Sequence, residues 1–431
     1  MAIMHDDSPL LPRVEVLLES VSPYGSRLVT VEFDGEATAA YLRTQSPDDG
    51  DSVIAATWIA NHRAAPTVTD TERLSAGLAP LMPASSTSRP RGRSRPDPAT
   101  LEAIWFEEGD GVAITERGAL LAVLPGWASS SRGMPGYSRD IVGQTPFGWS
   151  LDDAIEGLAP RVQRARAFWQ WRESAGGWGR FQQAALAHLE SRLGPAGHYW
   201  DASMGARPAV GISERPMGAY TVLATVGMSC QRMPVVEQVL DDPRDYARVE
   251  LALAVSPSTV SAAQAARIFP WLATYPWRSV TWFGPGHTVR WYADPANFPL
   301  GPGYQAVLLL DDPSPLASPP SAGFSSSDGF SSSVGFSSAG APVPGSVASP
   351  VPGPPVLSHL GAPVPSDSGS PAPPIDIPDL SGFAVGEDPV RWLWIVPISE
   401  RIRVLAKERG SVSAVTRLAT EGHSWICGSS G

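Results

Sequence analysis

The sequence predicts an α+β fold in which mixed, antiparallel-rich sheets carry flanking helices and a long disordered insertion interrupts the chain. Short apolar runs bounded by Pro, Gly and Asp are frequent, whereas segments with a helical period are fewer and do not alternate regularly with them. One Pro/Ser/Gly-rich tract breaks this pattern late in the chain. With 431 residues, the chain is long enough for two or three domains.

Residues 1–175 are predicted to form an N-terminal α+β domain. Residues 27–33 and 37–43 are rich in β-branched or apolar residues and are separated by an Asp-Gly pair, which favours a β-hairpin. A helix is expected from 151 to 172, with a serine before it as N-cap and acidic residues in its first turn. The other segments with strand character are 14–18 (which also fits a short helix), 53–59, 112–115 and 119–124.

Residues 176–312 and 381–425 are predicted to form a second α+β domain on either side of the Pro/Ser/Gly-rich tract. A helix is expected from 181 to 193, because apolar residues lie four positions apart there and share one face. After residue 198 the pattern is mainly that of strands. The expected strands are 219–226, 248–255, 280–283, 306–310 and 390–397, and the further expected helices are 259–268 and 399–409.

Residues 313–380 differ from the rest of the chain in composition, with 16 Pro, 17 Ser and 8 Gly and neither Lys nor Arg. Phe324, Phe330 and Phe336 mark an imperfect Gly-Phe-Ser-Ser repeat. Such a composition buries too little apolar surface to offset the ordering of the backbone, so we expect a disordered insertion. Because loop-closure entropy grows only logarithmically with length, a folded domain tolerates an insertion of this size.

The charge balance and the lysine content exclude several function classes. A formal net charge of -11 argues against a chain built to coat nucleic acid or an anionic membrane. Lys407 is the only lysine, and its neighbours Ala406 and Glu408 fit neither a phosphate-binding loop nor the lysine strand of a protein kinase. We therefore expect neither a nucleic-acid partner nor a nucleotide cofactor.

The cysteine content and the apolar pattern predict a cytoplasmic protein. Cys230 and Cys427 are too few for a disulfide framework or a four-cysteine zinc site, so reduced structural thiols are expected. The first residues include acids where a signal peptide carries basic residues. No apolar run approaches the ~20 residues that cross a bilayer, so no membrane partner is expected.

No catalytic residue, metal ligand or cofactor site is assigned from the sequence. Residues 227–231 resemble a nucleophile elbow around Ser229, but Gln231 replaces the second glycine, and a structural turn is favoured. The histidines are scattered without ligand spacing, and the adjacent carboxylates are attributed to helix capping and solvated loops. The arginines of 89–95 could contact phosphate, but without interleaved aromatic residues a solvated loop is favoured.

An aromatic run is the strongest candidate for a binding surface. Trp271, Tyr275, Trp277 and Trp282 are followed by His287, and prolines and glycines interrupt regular structure between them. Core packing is the default role for each ring. Irregular backbone nevertheless brings some rings to the surface, where Trp and Tyr beside polar groups anchor protein partners.

Several segments of the C-terminal half resemble the suppressor-of-fused domain family. They cover two stretches, about 175–312 and 385–415, and follow the order that the family uses. The segments are ERPM (214–217), TVGMS (225–229), RVEL (248–251), WLATYP (271–276), GHT (286–288), VLLL (307–310) and WIVPISER (394–401). Residues 1–170 do not match the family.

The resemblance implies an α+β domain of the suppressor-of-fused type that binds another protein and has no enzymatic activity. Animal members sequester transcription factors and carry a disordered insertion within the domain, whereas many bacterial members are regarded as immunity proteins that neutralise toxins. The composition of this chain, poor in lysine and rich in Ala, Gly and Pro, suits a bacterial member. Among the matching residues, Glu250 lies in an expected strand and is expected to pair with an arginine, and it joins the candidate partner-binding residues.

The leading hypothesis is therefore a cytoplasmic, non-enzymatic binding protein, with an immunity protein against a basic toxin as its more specific form. The acidic net charge suits a basic partner through electrostatic steering. Two alternatives stay open. One is a hydrolase built on the N-terminal domain, with His62 or His198 beside carboxylates, and the other is a signalling scaffold that recruits partners through the Pro/Ser tract.

Overall fold

Three β-sheets with helices packed on them confirm the predicted α+β class. The computed structural model describes residues 14–45, 52–203, 205–293, 295–317 and 376–428. The strands in these ranges are β1 (Glu15–Val21), β2 (Arg27–Phe33), β3 (Ala37–Thr44), β4 (Val53–Asn61), β5 (Leu101–Trp105), β6 (Val112–Glu116), β7 (Ala119–Leu124), β8 (Tyr137–Ser138), β9 (Gln144–Thr145), β10 (Gly148–Ser150), β11 (Tyr199–Asp201), β12 (Gly211–Pro216), β13 (Thr221–Val226), β14 (Arg248–Val255), β15 (Thr288–Arg290), β16 (Ala306–Leu310), β17 (Ala384–Val385), β18 (Asp388–Ile398) and β19 (Ile426–Cys427). The helices are α1 (Glu72–Ser75), α2 (Ile155–Glu173), α3 (Gly177–Leu193), α4 (Val236–Val239), α5 (Ala262–Ala266), α6 (Phe269–Leu272), α7 (Tyr275–Arg278), α8 (Glu400–Arg409) and α9 (Ser411–Thr420).

The first two sheets share one core. Strands β1 to β4 form an antiparallel meander, and the second sheet has the order β5-β6-β7-β8-β10-β9. Their facing residues are apolar and buried: Val29, Val31, Leu42 and Ile59 from the first sheet and Val112, Ile114, Leu121 and Leu124 from the second. Helix α2 covers the other face of the second sheet through Leu158 and Val162. Alternate residues of a strand point to opposite faces, so the second sheet contributes to two cores.

The third sheet has nine strands, and its central strands are buried and mostly apolar because both of its faces are covered. Every residue of β14 is buried. Val249, Leu251 and Leu253 face the cluster that includes α5 to α7, whereas Ala252 and Ala254 face the cluster that includes α3, α8 and α9. This two-residue alternation places α3 on one side of the sheet and the aromatic run on the other.

Strand β18 joins the parts of the chain that precede and follow the insertion. It pairs in parallel with β14 and antiparallel with β16, and it therefore lies between two strands that precede the insertion. Leu393 and Ile395 of β18 enter one core cluster, and Trp394 enters the other. The segments on both sides of the insertion thus share one sheet and two cores.

Both ends of the predicted insertion are part of the described fold. Residues 313–317 include a 3-10 turn, and Leu316 is buried in the same cluster as Leu380. The apolar side chains at these ends are anchored in the core, which the composition averaged over the whole tract does not reveal. Residues 318–375, the remainder of the predicted disordered insertion, lie outside the described residues.

Two predicted elements differ from the structure. Residues 280–283 form no strand, because Val280 has a positive φ of 47° and the segment is a turn between α7 and β15. Its apolar character reflects packing, since Phe283 is buried in the core. The helix expected at 259–268 is shortened to α5, which begins after Ser261, whose side chain accepts a hydrogen bond from the Gln264 amide.

Candidate functional site

Two of the six predicted binding residues lie in the interior. Trp277 is 0% exposed, and its indole nitrogen donates a hydrogen bond of 2.9 Å to the carbonyl oxygen of Arg232. Glu250 is 1% exposed. Neither side chain reaches the surface in the described structure. The predicted direct contact with a partner therefore does not fit either residue in this conformation.

The other predicted residues are half-buried rings, and they pack in two groups. Trp271 packs edge-on against Tyr275, with centroids 6.2 Å apart, and against Trp291, with centroids 5.0 Å apart. Trp282 packs edge-on against His287 at 4.6 Å. We call these five residues the aromatic face. Trp291 was missed at the sequence level, although its position directly after β15 was a usable signal.

Short helices and the edge of the nine-stranded sheet position the aromatic face. Helices α6 and α7 each have a proline in their first turn, where the missing amide hydrogen has no intrahelical acceptor to lose. The buried Phe283 ring, which directly follows Trp282 in the chain, stacks on Tyr275 with ring centroids 6.0 Å apart. Strand β15 ends the sheet between His287 and Trp291, which places these rings beside a terminal strand.

His287 is the polar ring of the aromatic face. Its Nδ1 atom lies 3.2 Å from the Gly284 amide nitrogen and 3.3 Å from the Trp282 carbonyl oxygen, so the tautomer decides whether it accepts from the first or donates to the second. Burial lowers the pKa of His287 below its usual value. The face therefore combines aromatic rings with a polar but uncharged imidazole, which suits a protein contact better than binding of a strongly charged ligand.

Glu250 has a structural role that differs from the expected arginine pair. Its carboxylate accepts hydrogen bonds from the amides of Gly227 and Ser229, both at 2.9 Å, and from the hydroxyls of Ser229 and Thr225, both at 2.6 Å. The predicted arginine partner is wrong, because these four donors surround the carboxylate. Burial raises the pKa of Glu250, and the hydrogen bonds oppose that effect.

The segment that resembles a nucleophile elbow is a buried turn. Gly227 has a φ of 130°, and a Cβ at this position would lie 2.3 Å from the carbonyl oxygen of Ala209, so only glycine fits. Ser229 is buried and donates its hydroxyl to Glu250. Burial raises the pKa of the Cys230 thiol to about 12. The favoured structural turn is thus the role that these contacts support.

A buried charge network, missed at the sequence level, connects the N-terminal region with the nine-stranded sheet. Arg248 of β14 pairs with Glu107 at 2.7 Å and with Asp388 at 3.0 Å. Arg232 donates two hydrogen bonds of 2.7 Å to the same Asp388 carboxylate. Burial opposes ionisation of Asp388, but the hydrogen bonds and charges of Arg232 and Arg248 outweigh it and lower its pKa. No local pattern signals this network, because its members are far apart in the chain.

Asp110 is a second buried acid at this boundary. Its Oδ2 atom accepts a hydrogen bond of 3.2 Å from the Val235 amide, and no described atom donates to Oδ1. Burial, followed by the charge of Glu108, raises the pKa of Asp110 to about 6. The boundary therefore contains a carboxyl group that titrates well above the usual range for aspartate.

We expect Asp110 to make the boundary less stable as the pH rises from about 4 to 6. The folded state binds the Asp110 proton more strongly than the unfolded state does, so unfolding releases this proton within that window and stability falls as pH increases. With a folded pKa of about 6, against 3.8 as the ordinary value, the contribution amounts to about 3 kcal/mol. Urea unfolding of the wild type and of Asp110→Asn at several pH values measures it. The Asn variant should show a shallower decline, and equal slopes for both proteins would contradict the assignment.

His62 and His198, the two histidines considered for a hydrolase, do not lie beside carboxylates in a closed pocket of the described structure. The His62 ring is bonded to the Thr38 hydroxyl at 2.7 Å and to the Arg93 carbonyl oxygen at 2.9 Å, and burial lowers its pKa. His198 lies 2.6 Å from Glu214, but its side chain is 80% exposed.

Within the described ranges, no group of three or more potential ligands is arranged for a metal ion. In the same ranges, none of the helices combines the length and apolar character needed to cross a bilayer.

Comparison with known proteins matches part of the chain to one family. Residues 206–336 match the family model of the suppressor of fused protein. This range includes Glu250 and all five residues of the aromatic face. Neither the curated proteins nor the solved structures yielded a match. A domain of this family indicates a protein-interaction module. Residues 206–336 of this chain are therefore similar to the suppressor of fused family.

Proposed function

We propose that this chain is a non-enzymatic binding protein that contacts its partner through the aromatic face. The observation that carries the proposal is the cluster of half-buried Trp and Tyr rings beside the terminal strand β15, within the range that matches the family. Rings that are partly desolvated in the free protein lose little conformational entropy when a partner covers them, which makes them efficient anchors.

The domain organisation belongs to the same proposal. Residues 1–175 form an N-terminal domain, and residues 176–312 together with 381–425 form the suppressor-of-fused-like domain that carries the aromatic face. The pairing of β18 with β14 and β16 supports the grouping of the two latter segments. The role of the N-terminal domain in this arrangement is to support the nine-stranded sheet through the charge network at the boundary.

In its more specific form, the proposal is that the chain is a cytoplasmic immunity protein that neutralises a basic toxin. The net charge of -11 supports this choice of partner, because complementary charge accelerates encounter with a basic protein. Binding that covers the toxin's functional surface is sufficient for neutralisation and needs no catalytic group. The burial of Cys230 and Cys427 as free thiols is compatible with a reducing compartment.

The proposal is tested by measuring how tightly this chain binds a toxin that is encoded next to its own gene. Replacing Trp271 and Trp282 with alanine should weaken the complex by at least about 2 kcal/mol, or roughly 30-fold in Kd, because central aromatic anchors dominate interface energies. Calorimetric titration measures Kd. The matched control is Trp149→Ala, which removes a half-buried ring that packs on Trp127 in the second sheet and should leave Kd unchanged. Equal affinity of all variants would exclude the aromatic face as the interface, and no complex with the toxin would count against the immunity role.

No observation favours either alternative function over this proposal. His62 is engaged by a hydroxyl and a carbonyl oxygen, and His198 is largely exposed, so the arrangement sought for a hydrolase lacks support from the described residues. Most of the Pro/Ser tract on which the scaffold hypothesis depends lies outside the described residues.

A further inference from the structure

A groove of about 740 Å³ lies beside β18, away from the aromatic face. Its floor includes Trp392 and Trp394, which belong to the core cluster on one side of the nine-stranded sheet. The aromatic face packs against the cluster on the opposite side of that sheet. The groove is thus a separate surface, bordered by residues 313–314 and 377–384.

The floor of the groove is apolar. Trp392 is only 7% exposed, yet no described atom accepts a hydrogen bond from its indole Nε1. The Trp392 ring stacks with His188 at 6.3 Å, and His188 stacks with Phe383 at 5.3 Å. The nitrogen itself has almost no accessible surface, so the ring adds apolar surface to the floor and offers no donor that a ligand could reach.

The rim of the groove is acidic. Four aspartates line it against a single arginine, Arg391. Arg391 is already engaged, because it lies 3.4 Å from the Asp311 carboxylate, donates to the carbonyl oxygen of Asp245 and stacks over the Tyr246 ring at 4.1 Å. The lining residues therefore carry a net charge of -3, from four negative charges and one positive charge. A ligand with positive charges would complement this rim.

We propose that this acidic groove binds a basic peptide segment of the protein partner, with an apolar side chain on the apolar floor and arginine or lysine at the rim. The inference rests on the proposed protein-binding function and names the chemistry of the segment that is bound. Apolar anchoring supplies affinity, and the aspartates select positive charge.

The chain's own residues 318–375 are the competing occupant, because the described structure stops and resumes at the border of the groove. Charge argues against them. They contain Asp328 and Asp367 and neither Lys nor Arg, so they cannot neutralise the rim. The charge complementarity therefore favours a basic segment from another protein.

The probe is a short fluorescein-labelled peptide that alternates arginine and leucine, titrated with the full chain and followed by fluorescence anisotropy at near-physiological ionic strength. We expect saturable binding, and we expect no binding of the same peptide with glutamate in place of arginine. The double variant Asp245→Asn/Asp311→Asn should bind at least about tenfold more weakly. The control Asp152→Asn/Asp153→Asn makes the same change in charge at exposed positions remote from the groove and should keep the wild-type affinity.

Phe383→Ala provides a second test, because it removes a partly exposed aromatic ring from the apolar lining of the groove. We expect it to weaken peptide binding about fivefold or more, which corresponds to the loss of an apolar contact of about 1 kcal/mol. Urea unfolding of each variant checks that the fold persists. Equal weakening in both double variants would show non-specific attraction and overturn the proposal. Binding only after a Gly/Ser linker replaces residues 318–375 would identify the chain's own segment as the occupant and would also overturn it.

The outcome is independent of the test of the aromatic face. The Trp271→Ala/Trp282→Ala variant should bind the arginine-leucine peptide like the wild type, because those rings lie on the other side of the sheet. If no toxin complex forms while the peptide still binds through the aspartates, only the proposed function loses support. If the peptide does not bind while formation of the toxin complex depends on the aromatic face, only the groove is excluded as a binding site.

Discussion

Replacing Arg248 with methionine should lower the free energy of unfolding by about 3 kcal/mol or more. Arg248 and Asp388 are both almost fully buried, and Arg248 also neutralises Glu107. Methionine fills much of the volume but leaves two carboxylates with less compensation, and breaking a buried pair from one side costs about 3–5 kcal/mol. Arg232 still pairs with Asp388, which places the expected loss at the lower end of that range. Urea unfolding measures the change.

The chain contains a matched control for this change. Arg244 lies four residues before Arg248 and pairs with Glu387 at 3.2 Å. The side chains of Arg244 and Glu387 are both mostly exposed. Exposed ion pairs contribute little, so Arg244→Met should alter stability by less than about 0.5 kcal/mol. If the two methionine variants lose equal stability, burial of the network does not govern its strength. A large loss for Arg248→Met alone supports the network as the link between the N-terminal region and the sheet.

Replacing Glu250 with alanine should have a larger effect, with a loss of about 4 kcal/mol or more. Four donors, from Thr225, Gly227 and Ser229, would lose their acceptor at a site that water does not reach. Each buried donor left without an acceptor costs about 1–3 kcal/mol, although the turn can relax in part. Because domains are stable by only about 5–15 kcal/mol, thermal unfolding should shift by many degrees. Differential scanning calorimetry and urea titration measure this loss.

Two companion variants make the Glu250 experiment specific. Glu250→Gln keeps one carbonyl oxygen as an acceptor for the turn amides and should lose only about 1–2 kcal/mol. Glu19→Ala makes the same substitution in an exposed strand position of β1 and should stay within about 0.5 kcal/mol of the wild type. A Glu250→Ala variant as stable as Glu19→Ala would mean that the turn holds its shape without the carboxylate.

Local patterns in the sequence were sufficient to predict those strands and helices that depend on neighbouring residues. The bounds of β14 and β16 agree with the predicted strands, because continuous apolar runs between turn residues are typical of strands covered on both faces. Phe181, Ala185, Leu189 and Leu193 form the buried stripe of α3, as their spacing predicts. Residues 280–283 show the limit, because burial of Phe283 produces the same apolar signature without a strand.

Only part of the candidate site could be predicted from the sequence. Composition and spacing singled out Trp271, Tyr275, Trp282 and His287, which are half-buried rings packed in two groups. The same signals could not separate Trp277, because a buried ring and an exposed ring are identical in sequence. The expected arginine partner of Glu250 was wrong because hydrogen-bond donors from a neighbouring turn satisfy a buried carboxylate equally well.

Residue type and near-neighbour patterns were enough to predict the α+β class, most strands and helices, the extent of the unusual composition and the resemblance to one family. The pairing of strands, the burial of individual rings and the meeting of distant charges depend on how the whole chain packs and had to be seen in three dimensions. Asp388 lies 140 residues from its hydrogen-bond donor Arg248, and no periodicity reports a contact over that distance. The acidic groove arises in the same way, since its aspartates come from three separate segments that converge only when β18 pairs with β14 and β16.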